Sequence, residues 1–275
     1  MTRSPVRPAG VLTLTTDFGT RDHYVGAMKG AVISVAPQVR VFDISHEIPS
    51  FDVAEGAFAI AQSFPHYPDG TVHVVVIDPG VGSARRPVAV AAGGHWFVAP
   101  DNGVLSLVLE AAGRFEAREV DLRHGLPRMS TTFHGRDLFA PVGARLAIGL
   151  PFDEIGPEAT ALVRMNPAAA SDGCGRVLHV DGFGNLVTSL RASDLPEGAS
   201  LALGDGTVSA RARAYASMPA GRLFLIVGSS GYVEVSMNRG SAADALGVRA
   251  GEAVTLVGDD SVSAGSRTQS VSEVE

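Results

Sequence analysis

Acidic side chains stand at or just past the carboxyl ends of three predicted strands: Asp17, Asp43 and Asp78. Ligands of open α/β sheets bind along the edge formed by the carboxyl ends of the strands, so these aspartates predict a polar binding site there. One aspartate at such a position serves equally well as a turn or helix cap. The prediction therefore depends on the three occurring together.

A second polar cluster, Phe133-His134-Gly135-Arg136-Asp137, precedes a predicted helix. Asp137 can cap that helix, whereas His134 offers an imidazole suited to hydrogen bonding or proton transfer. One alternative is a divalent-metal site in a phosphoester hydrolase. Its ligands would be Asp17, Asp43, Asp78, His134 and Asp137. The eight histidines show neither H-x-H nor H-E-x-x-H spacing, so no local zinc motif is present.

Composition limits the classes of partner and compartment. The 275 residues carry a net charge of −7 with scattered basic residues, so we expect no nucleic-acid partner. No apolar run reaches about 18 residues, so we expect no membrane span. Cys174 is the only cysteine, which excludes an intrachain disulfide and favours a cytoplasmic location. Gly80-Val81-Gly82 is not a dinucleotide-binding loop, because the third glycine is missing and a strand-like segment follows.

The predicted elements divide the chain near residue 150. Before it, strands at 11–16, 39–44, 71–77 and a hairpin at 88–98 alternate with helices at 24–34, 52–63, 105–112 and 137–148. This alternation predicts an α/β fold with a central, largely parallel sheet. After it, strands at 177–180, 186–190, 201–203, 223–227 and 232–237, with a helix at 242–246, predict a smaller, mostly β domain.

These patterns predict five segments along the chain. They are a flexible amino terminus (1–10), an α/β domain (11–150), a linker (151–171), a β domain (172–258) and a disordered tail (259–275).

Six short segments follow one another in an order that is typical of one enzyme family. They are Thr15-Thr16-Asp17-Phe18-Gly19, Ile77-Asp78-Pro79-Gly80-Val81-Gly82, Ala99-Pro100-Asp101-Asn102-Gly103, Phe133-His134-Gly135-Arg136-Asp137, Asp181-Gly182-Phe183-Gly184-Asn185 and Gly231-Tyr232. Over about residues 11–257 the chain resembles the S-adenosyl-L-methionine (SAM) hydroxide adenosyltransferases, relatives of fluorinating and chlorinating enzymes that use the same substrate.

The resemblance implies a fold, an assembly and a reaction. It implies an α/β amino-terminal domain, a β-barrel-like carboxyl-terminal domain, and a homotrimer that holds substrate between one subunit's amino-terminal domain and the next subunit's carboxyl-terminal domain. The implied reaction is attack of water or hydroxide on the ribose C5′ carbon of SAM, giving adenosine and L-methionine. The implied partners are SAM and water, and no metal or other cofactor is expected.

The resemblance also implies residue roles. The triad of the family's hydrolytic members corresponds to Asp78, Arg85 and His134. Halogenating relatives have tyrosine in place of Asp78 and threonine in place of Val81, so the chain resembles the members that use water. The implied substrate contacts are Asp17 for the ribose hydroxyls, Phe51 for the sugar, and Asn185 and Phe183 for adenine. For the methionine end they are Asp181, Ser229 and Ser230. Ser230 stands where the halogenases have arginine.

Three alternatives remain open from the sequence. The first is the metal-dependent phosphoester hydrolase described above. The second is a SAM- or nucleoside-binding sensor without turnover, and the third is a slow SAM-dependent halogenase.

Overall fold

The structure is a computed structural model that describes residues 7–166 and 174–258. Two compact units divide between Asn166 and Pro167. Residues 151–166 of the predicted linker therefore belong to the first unit, because Ile155 is fully buried in its core and the N–H of Ala159 donates to the Ala117 carbonyl at 2.9 Å. Most of the predicted flexible amino terminus and the whole predicted tail lie outside the described residues.

The first unit contains a six-stranded sheet of order β2-β1-β3-β5-β4-β6. Its strands are β1 (Val11–Thr16), β2 (Arg40–Ser45), β3 (Val72–Val76), β4 (Pro87–Ala92), β5 (His95–Pro100) and β6 (Phe115–Glu119). Strands β2, β1, β3 and β5 run parallel, while β4 is antiparallel to β5 and β6. The predicted α/β fold with a largely parallel sheet is confirmed. The prediction lacked β6, because this edge strand exposes charged residues and has no apolar face to signal it.

Helices cover the sheet. They are α1 (Tyr24–Val35), α2 (Val53–Ser63), α3 (Ser106–Ala112) and α4 (Ala140–Ala147). Helix α2 begins as predicted, because the Asp52 side chain accepts the N–H of Glu55 at 2.9 Å. The helix predicted at 137–148 begins instead with a π-helical turn, Gly135–Phe139. Pro141 has no N–H to donate to the Asp137 carbonyl, and that carbonyl accepts the N–H of Leu126 at 2.7 Å.

The sheet brings two of the predicted aspartates to one edge. Strands β1 and β3 are adjacent, parallel and buried along their whole length, and Thr16 stands opposite Val76. Asp17 and Asp78 follow these positions by one and two residues. Both therefore lie at the carboxyl edge of the sheet, as the sequence predicts.

A buried histidine lies within the same sheet. His73 in β3 is fully buried, with its Nδ1 2.7 Å from the hydroxyl of Thr13 and its Nε2 3.2 Å from Nδ1 of His95. Burial, with a smaller effect of His95, lowers the pKa of His73 from 6.5 to about 3. The folded protein therefore holds this imidazole neutral across the mildly acidic range.

We expect the free energy of unfolding to decrease as pH falls from 6.5 towards 3. In that range the unfolded chain binds a proton at His73 and the folded chain does not, at a slope of about 1.4 kcal/mol per pH unit. The variant His73→Gln keeps a polar side chain without this titration and should flatten the slope. Urea unfolding of both proteins between pH 5 and 7 measures it, and an equal slope in the two would contradict the assignment.

The second unit is a nearly closed antiparallel barrel of order β10-β9-β13-β7-β8-β12-β11. Its elements are β7 (Cys174–Val180), β8 (Leu186–Arg191), β9 (Ser200–Leu203), β10 (Gly206–Val208), β11 (Leu223–Val227), β12 (Tyr232–Met237), α5 (Ala242–Leu246) and β13 (Ala253–Val257). The N–H of Leu225 donates to the Ala210 carbonyl at 2.7 Å, which brings the segment after β10 against β11. The barrel-like domain is confirmed, with β10 and β13 in addition to the predicted strands.

Within the described residues, no helix has the length and apolar character needed to cross a membrane.

Candidate functional site

The three residues of the implied triad are in contact in the first unit. Arg85 Nε donates to both carboxylate oxygens of Asp78 at 3.0 and 3.1 Å, and Nη2 lies 2.5 Å from Oδ2. The same Nη2 lies 2.8 Å from Nδ1 of His134. The side chains of Asp78 and Arg85 are only 5% and 10% exposed, so their charges interact with little solvent screening.

A glycine allows the two loops that carry this cluster to approach each other. Gly82 has φ of +77°, and a Cβ at that position would lie 2.5 Å from the carbonyl oxygen of Thr131. Gly82 belongs to the loop between Asp78 and Arg85, and Thr131 precedes His134 by three residues. Any larger residue at position 82 would push these loops apart.

The neighbouring arginine has a different environment. Arg86 Nη2 lies 2.5 Å from Oδ2 of Asp101, and its guanidinium also donates to the carbonyl of Ala161 at 3.0 Å. Arg86 therefore holds the end of β5 to the segment that follows α4. The structure places Arg85, and not Arg86, against Asp78 and His134.

The contact with Arg85 determines the tautomer of His134. A guanidinium has N–H donors and no acceptor, so Nδ1 must accept and the neutral ring carries its proton on Nε2. Burial lowers the pKa of His134, and the Arg85 cation lowers it further, against an opposing effect of Asp78 and Asp137. The imidazole is therefore held neutral, with an Nε2–H available as a donor.

Asp137 supports the loop that carries His134. Its carboxylate is 1% exposed and accepts the N–H of Ser130 at 2.7 Å and Nε of Arg136 at 2.6 Å. Burial alone would raise the pKa of Asp137, but the hydrogen bonds from Arg136 and Ser130 lower it below its ordinary value. Asp137 therefore does not cap the helix, which the sequence left as one alternative, because its side chain binds the preceding loop instead.

A cavity of about 380 Å³ lies beside the cluster. It is lined by Asp17, Phe18, Tyr24, Ser50, Phe51, Val76, Asp78, Val81, Thr132, Phe133, His134 and Gly135. Oδ2 of Asp17 accepts the N–H of Phe51 at 2.9 Å. Phe51 is 70% exposed and has φ of +70°, a conformation that is costly for a bulky residue and is found at binding sites. The structure therefore brings Asp17 and Phe51 together with Asp78 and His134.

A second cavity, of about 580 Å³, lies in the barrel unit. It is lined by Asp181, Phe183, Asn185, Tyr215, Met237, Asn238, Arg239 and Gly240. Asp181 accepts the N–H groups of Phe183 and Asn185 at 2.9 Å each and the side-chain amide of Asn185 at 2.8 Å. This leaves the amide oxygen of Asn185 and the 81% exposed ring of Phe183 available to a ligand.

Ser229 and Ser230 lie elsewhere in the same unit, in the turn between β11 and β12. Neither belongs to the lining of the barrel cavity. The carbonyl of Ser230 accepts Nη1 of Arg191 at 3.0 Å. Sequence reasoning missed Tyr215 and Arg191, which lie outside the motifs and reach these places only through the fold.

The ligand set of the metal alternative is not assembled in the described part of the chain, where no three metal-ligating side chains cluster. Asp43 pairs with Lys29 at 2.6 Å, and Asp78 and Asp137 each pair with an arginine. Each of these carboxylates is therefore already paired with a lysine or arginine side chain, which weakens its capacity to bind a metal ion.

Comparison with known proteins gives consistent matches over both units. Models of the SAM hydroxide adenosyltransferase amino-terminal and carboxyl-terminal domains match residues 12–156 and 175–255. An (R)-S-adenosyl-L-methionine hydrolase of Salinispora arenicola is 42% identical over 88% of this chain and 95% of that protein. A fluorinase of Actinoplanes is 31% identical over 70% and 75% of the two chains. A crystal structure of a conserved Thermotoga maritima protein superposes with a TM-score of 0.83 at 32% identity, covering 90% and 99% of the chains.

Proposed function

The chain belongs to the SAM hydroxide adenosyltransferase family, and we propose that it hydrolyses SAM to adenosine and L-methionine by attack of water on the ribose C5′ carbon. The observation that carries this proposal is the contact of Asp78, Arg85 and His134 beside a cavity lined by Asp17 and Phe51. Hydrolases among the relatives are named for the (R) isomer of SAM, so we propose that this sulfonium configuration is accepted.

The leaving group needs no assistance in this reaction. As the water oxygen bonds to C5′, the C5′–S bond breaks and its electron pair returns to sulfur, which leaves as the neutral thioether of methionine. A neutral thioether requires no general acid. Catalysis therefore depends on holding and activating the nucleophile in line with the breaking bond.

Arg85 and His134 supply two donors for that nucleophile. In the described structure, Arg85 Nε and Nη2 are engaged with Asp78 and His134, which leaves the N–H groups of Nη1 for a water molecule. His134 adds its Nε2–H. Water has two lone pairs, so an oxygen that accepts two hydrogen bonds needs a third lone pair, as in hydroxide, to attack C5′. Two donors stabilise this hydroxide-like form. The proton that the water loses passes to solvent, because Nδ1 of His134 is occupied by Arg85.

The division of the predicted contacts between two units supports a composite site. Asp17 and Phe51 belong to the first unit, whereas Asp181 and Asn185 belong to the second. We propose that the nucleoside is held by residues of both, between subunits of a homotrimer, as the family resemblance implies. Phe51 and Phe183, both largely exposed, are the aromatic side chains that substrate would cover.

The proposed reaction predicts equimolar adenosine and methionine from protein pretreated with EDTA. The (R) and (S) isomers of SAM are supplied separately, and products are measured by liquid chromatography with mass detection. Loss of activity in EDTA would instead favour the metal-dependent hydrolase. Saturable binding without product would favour the sensor, and 5′-halogenated adenosine in the presence of chloride would favour the halogenase.

A further inference from the structure

Arg191 stands at the end of β8 with its guanidinium at the turn that carries Ser229 and Ser230. Its central carbon lies 3.4 Å from the centre of the Tyr232 ring, and Nη1 donates to the Ser230 carbonyl at 3.0 Å. Stacking on an aromatic face and a hydrogen bond to the main chain restrict the guanidinium to one orientation. The cation is therefore fixed beside the turn.

This cation has no carboxylate partner among the described residues, since none of their ion pairs includes Arg191. Asp194, three residues further along the chain, uses Oδ2 to accept the main-chain N–H of Arg191 at 2.7 Å. One N–H group of the guanidinium is engaged by Ser230, and the remaining ones have no described acceptor. A planar guanidinium with free N–H groups matches a carboxylate in two parallel hydrogen bonds.

The turn adds two hydroxyl donors at the same place. Ser229 is exposed and Ser230 partly exposed, and neither hydroxyl is bonded to another described residue. Gly231 has φ of +76°, and a Cβ there would lie 3.4 Å from Nη1 of Arg191. The turn thus places two serine side chains next to a fixed cation, a combination that suits an anion of the size of a carboxylate.

A bulge in β8 shortens the distance between Arg191 and the barrel cavity. Leu186 pairs with Val235, yet Arg191 pairs with Tyr232, so five steps along β8 correspond to three along β12. Three strand steps span about 10 Å. Asn185, directly before Leu186, therefore lies at a separation from Arg191 comparable to the length of an adenosyl group with its amino acid chain.

We propose that Arg191, with Ser229 and Ser230, binds the α-carboxylate of the amino acid portion of the substrate. This inference rests on the proposed function. It assigns the positive charge that meets this carboxylate to a residue of the strand beside the turn. Arg191 thereby selects sulfonium nucleosides that bear an amino acid carboxylate.

The test compares SAM with decarboxylated SAM, which keeps the nucleoside, the sulfonium and the amine. For Arg191→Gln we expect KM and Kd for SAM to rise about 10- to 100-fold, as for the loss of a charged hydrogen bond, with kcat within about 3-fold. For decarboxylated SAM both constants should stay within about 2-fold of wild type. Arg222→Gln is the matched control, because Arg222 lies at the opposite end of β11 from the turn.

The outcomes separate this proposal from the proposed function. If Arg191→Gln raises KM and Kd equally for both compounds, Arg191 only stabilises the turn. If it changes neither constant for either compound, Arg191 does not contact substrate. Each of these results overturns the proposal. If wild-type protein binds SAM without hydrolysing it, the proposed function fails. The role of Arg191 is then still decided by Kd for SAM and for decarboxylated SAM, measured by calorimetry on wild type and Arg191→Gln. If wild-type protein binds neither compound, both proposals fail.

Discussion

Replacing Arg85 by lysine should lower kcat for SAM hydrolysis by about 10²- to 10³-fold, with KM changed little. The guanidinium binds both oxygens of Asp78 and donates to His134, and in the proposed reaction its Nη1 binds the nucleophile. A lysine ammonium retains the charge but cannot make these bonds from one planar group. The measurement is steady-state kinetics of adenosine release, with circular dichroism to confirm that the variant is folded.

The neighbouring residue provides the matched control. Arg86→Lys changes the same chemical group one position away, where it binds Asp101 and a carbonyl rather than the cluster. This variant should lose thermal stability and keep kcat within about 3-fold of wild type. Equal losses of kcat in both variants, or a larger loss for Arg86→Lys, would contradict the role given to Arg85.

Substitution of His134 distinguishes a donor from a general base. His134→Ala should lower kcat by about 10²-fold or more, in the range of a lost donor to the reacting oxygen. His134→Gln keeps an N–H donor near the position of Nε2 and should retain kcat within about 10-fold of wild type. If the glutamine variant is as inactive as the alanine variant, His134 acts through proton uptake and the tautomer deduced from its contact with Arg85 is wrong.

The pH dependence gives a second readout for the same residue. A protonated His134 could no longer accept the N–H of Arg85, so protonation should disrupt the cluster. Burial and the Arg85 cation lower the pKa of His134, so this loss should begin only below pH 6.5. Because glutamine does not titrate, the ratio of kcat/KM for His134→Gln over wild type should rise as pH falls.

The carboxyl edge of the sheet was predictable, because it depends on local patterns. The β-branched runs that become β1 and β3 are followed directly by Asp17 and within two residues by Asp78, and parallel strands bring such positions together. The charged edge strand β6 and the three-residue strand β10 lack a clear apolar period. Their pairing is set by the rest of the sheet, so sequence reasoning missed them.

The cluster itself was predictable only through the family resemblance. Arg85 and His134 are 49 residues apart, and their contact depends on the close approach of Gly82 to the carbonyl of Thr131. No periodicity or spacing reports such an approach. Arg191 shows the same limit, because the bulge that aligns it with Tyr232 is a property of strand pairing and the residue belongs to no motif.

Hydrolysis of (R)-SAM by EDTA-treated protein in ¹⁸O-labelled water shows which carbon the water attacks. Water can attack the sulfonium at three carbons, and each route leaves the label in a different product. Attack at C5′ should give one labelled oxygen at the 5′ position of adenosine and unlabelled methionine. Label in homoserine beside methylthioadenosine, label in methanol beside S-adenosylhomocysteine, or adenosine without label at its 5′ oxygen would contradict attack by water at C5′.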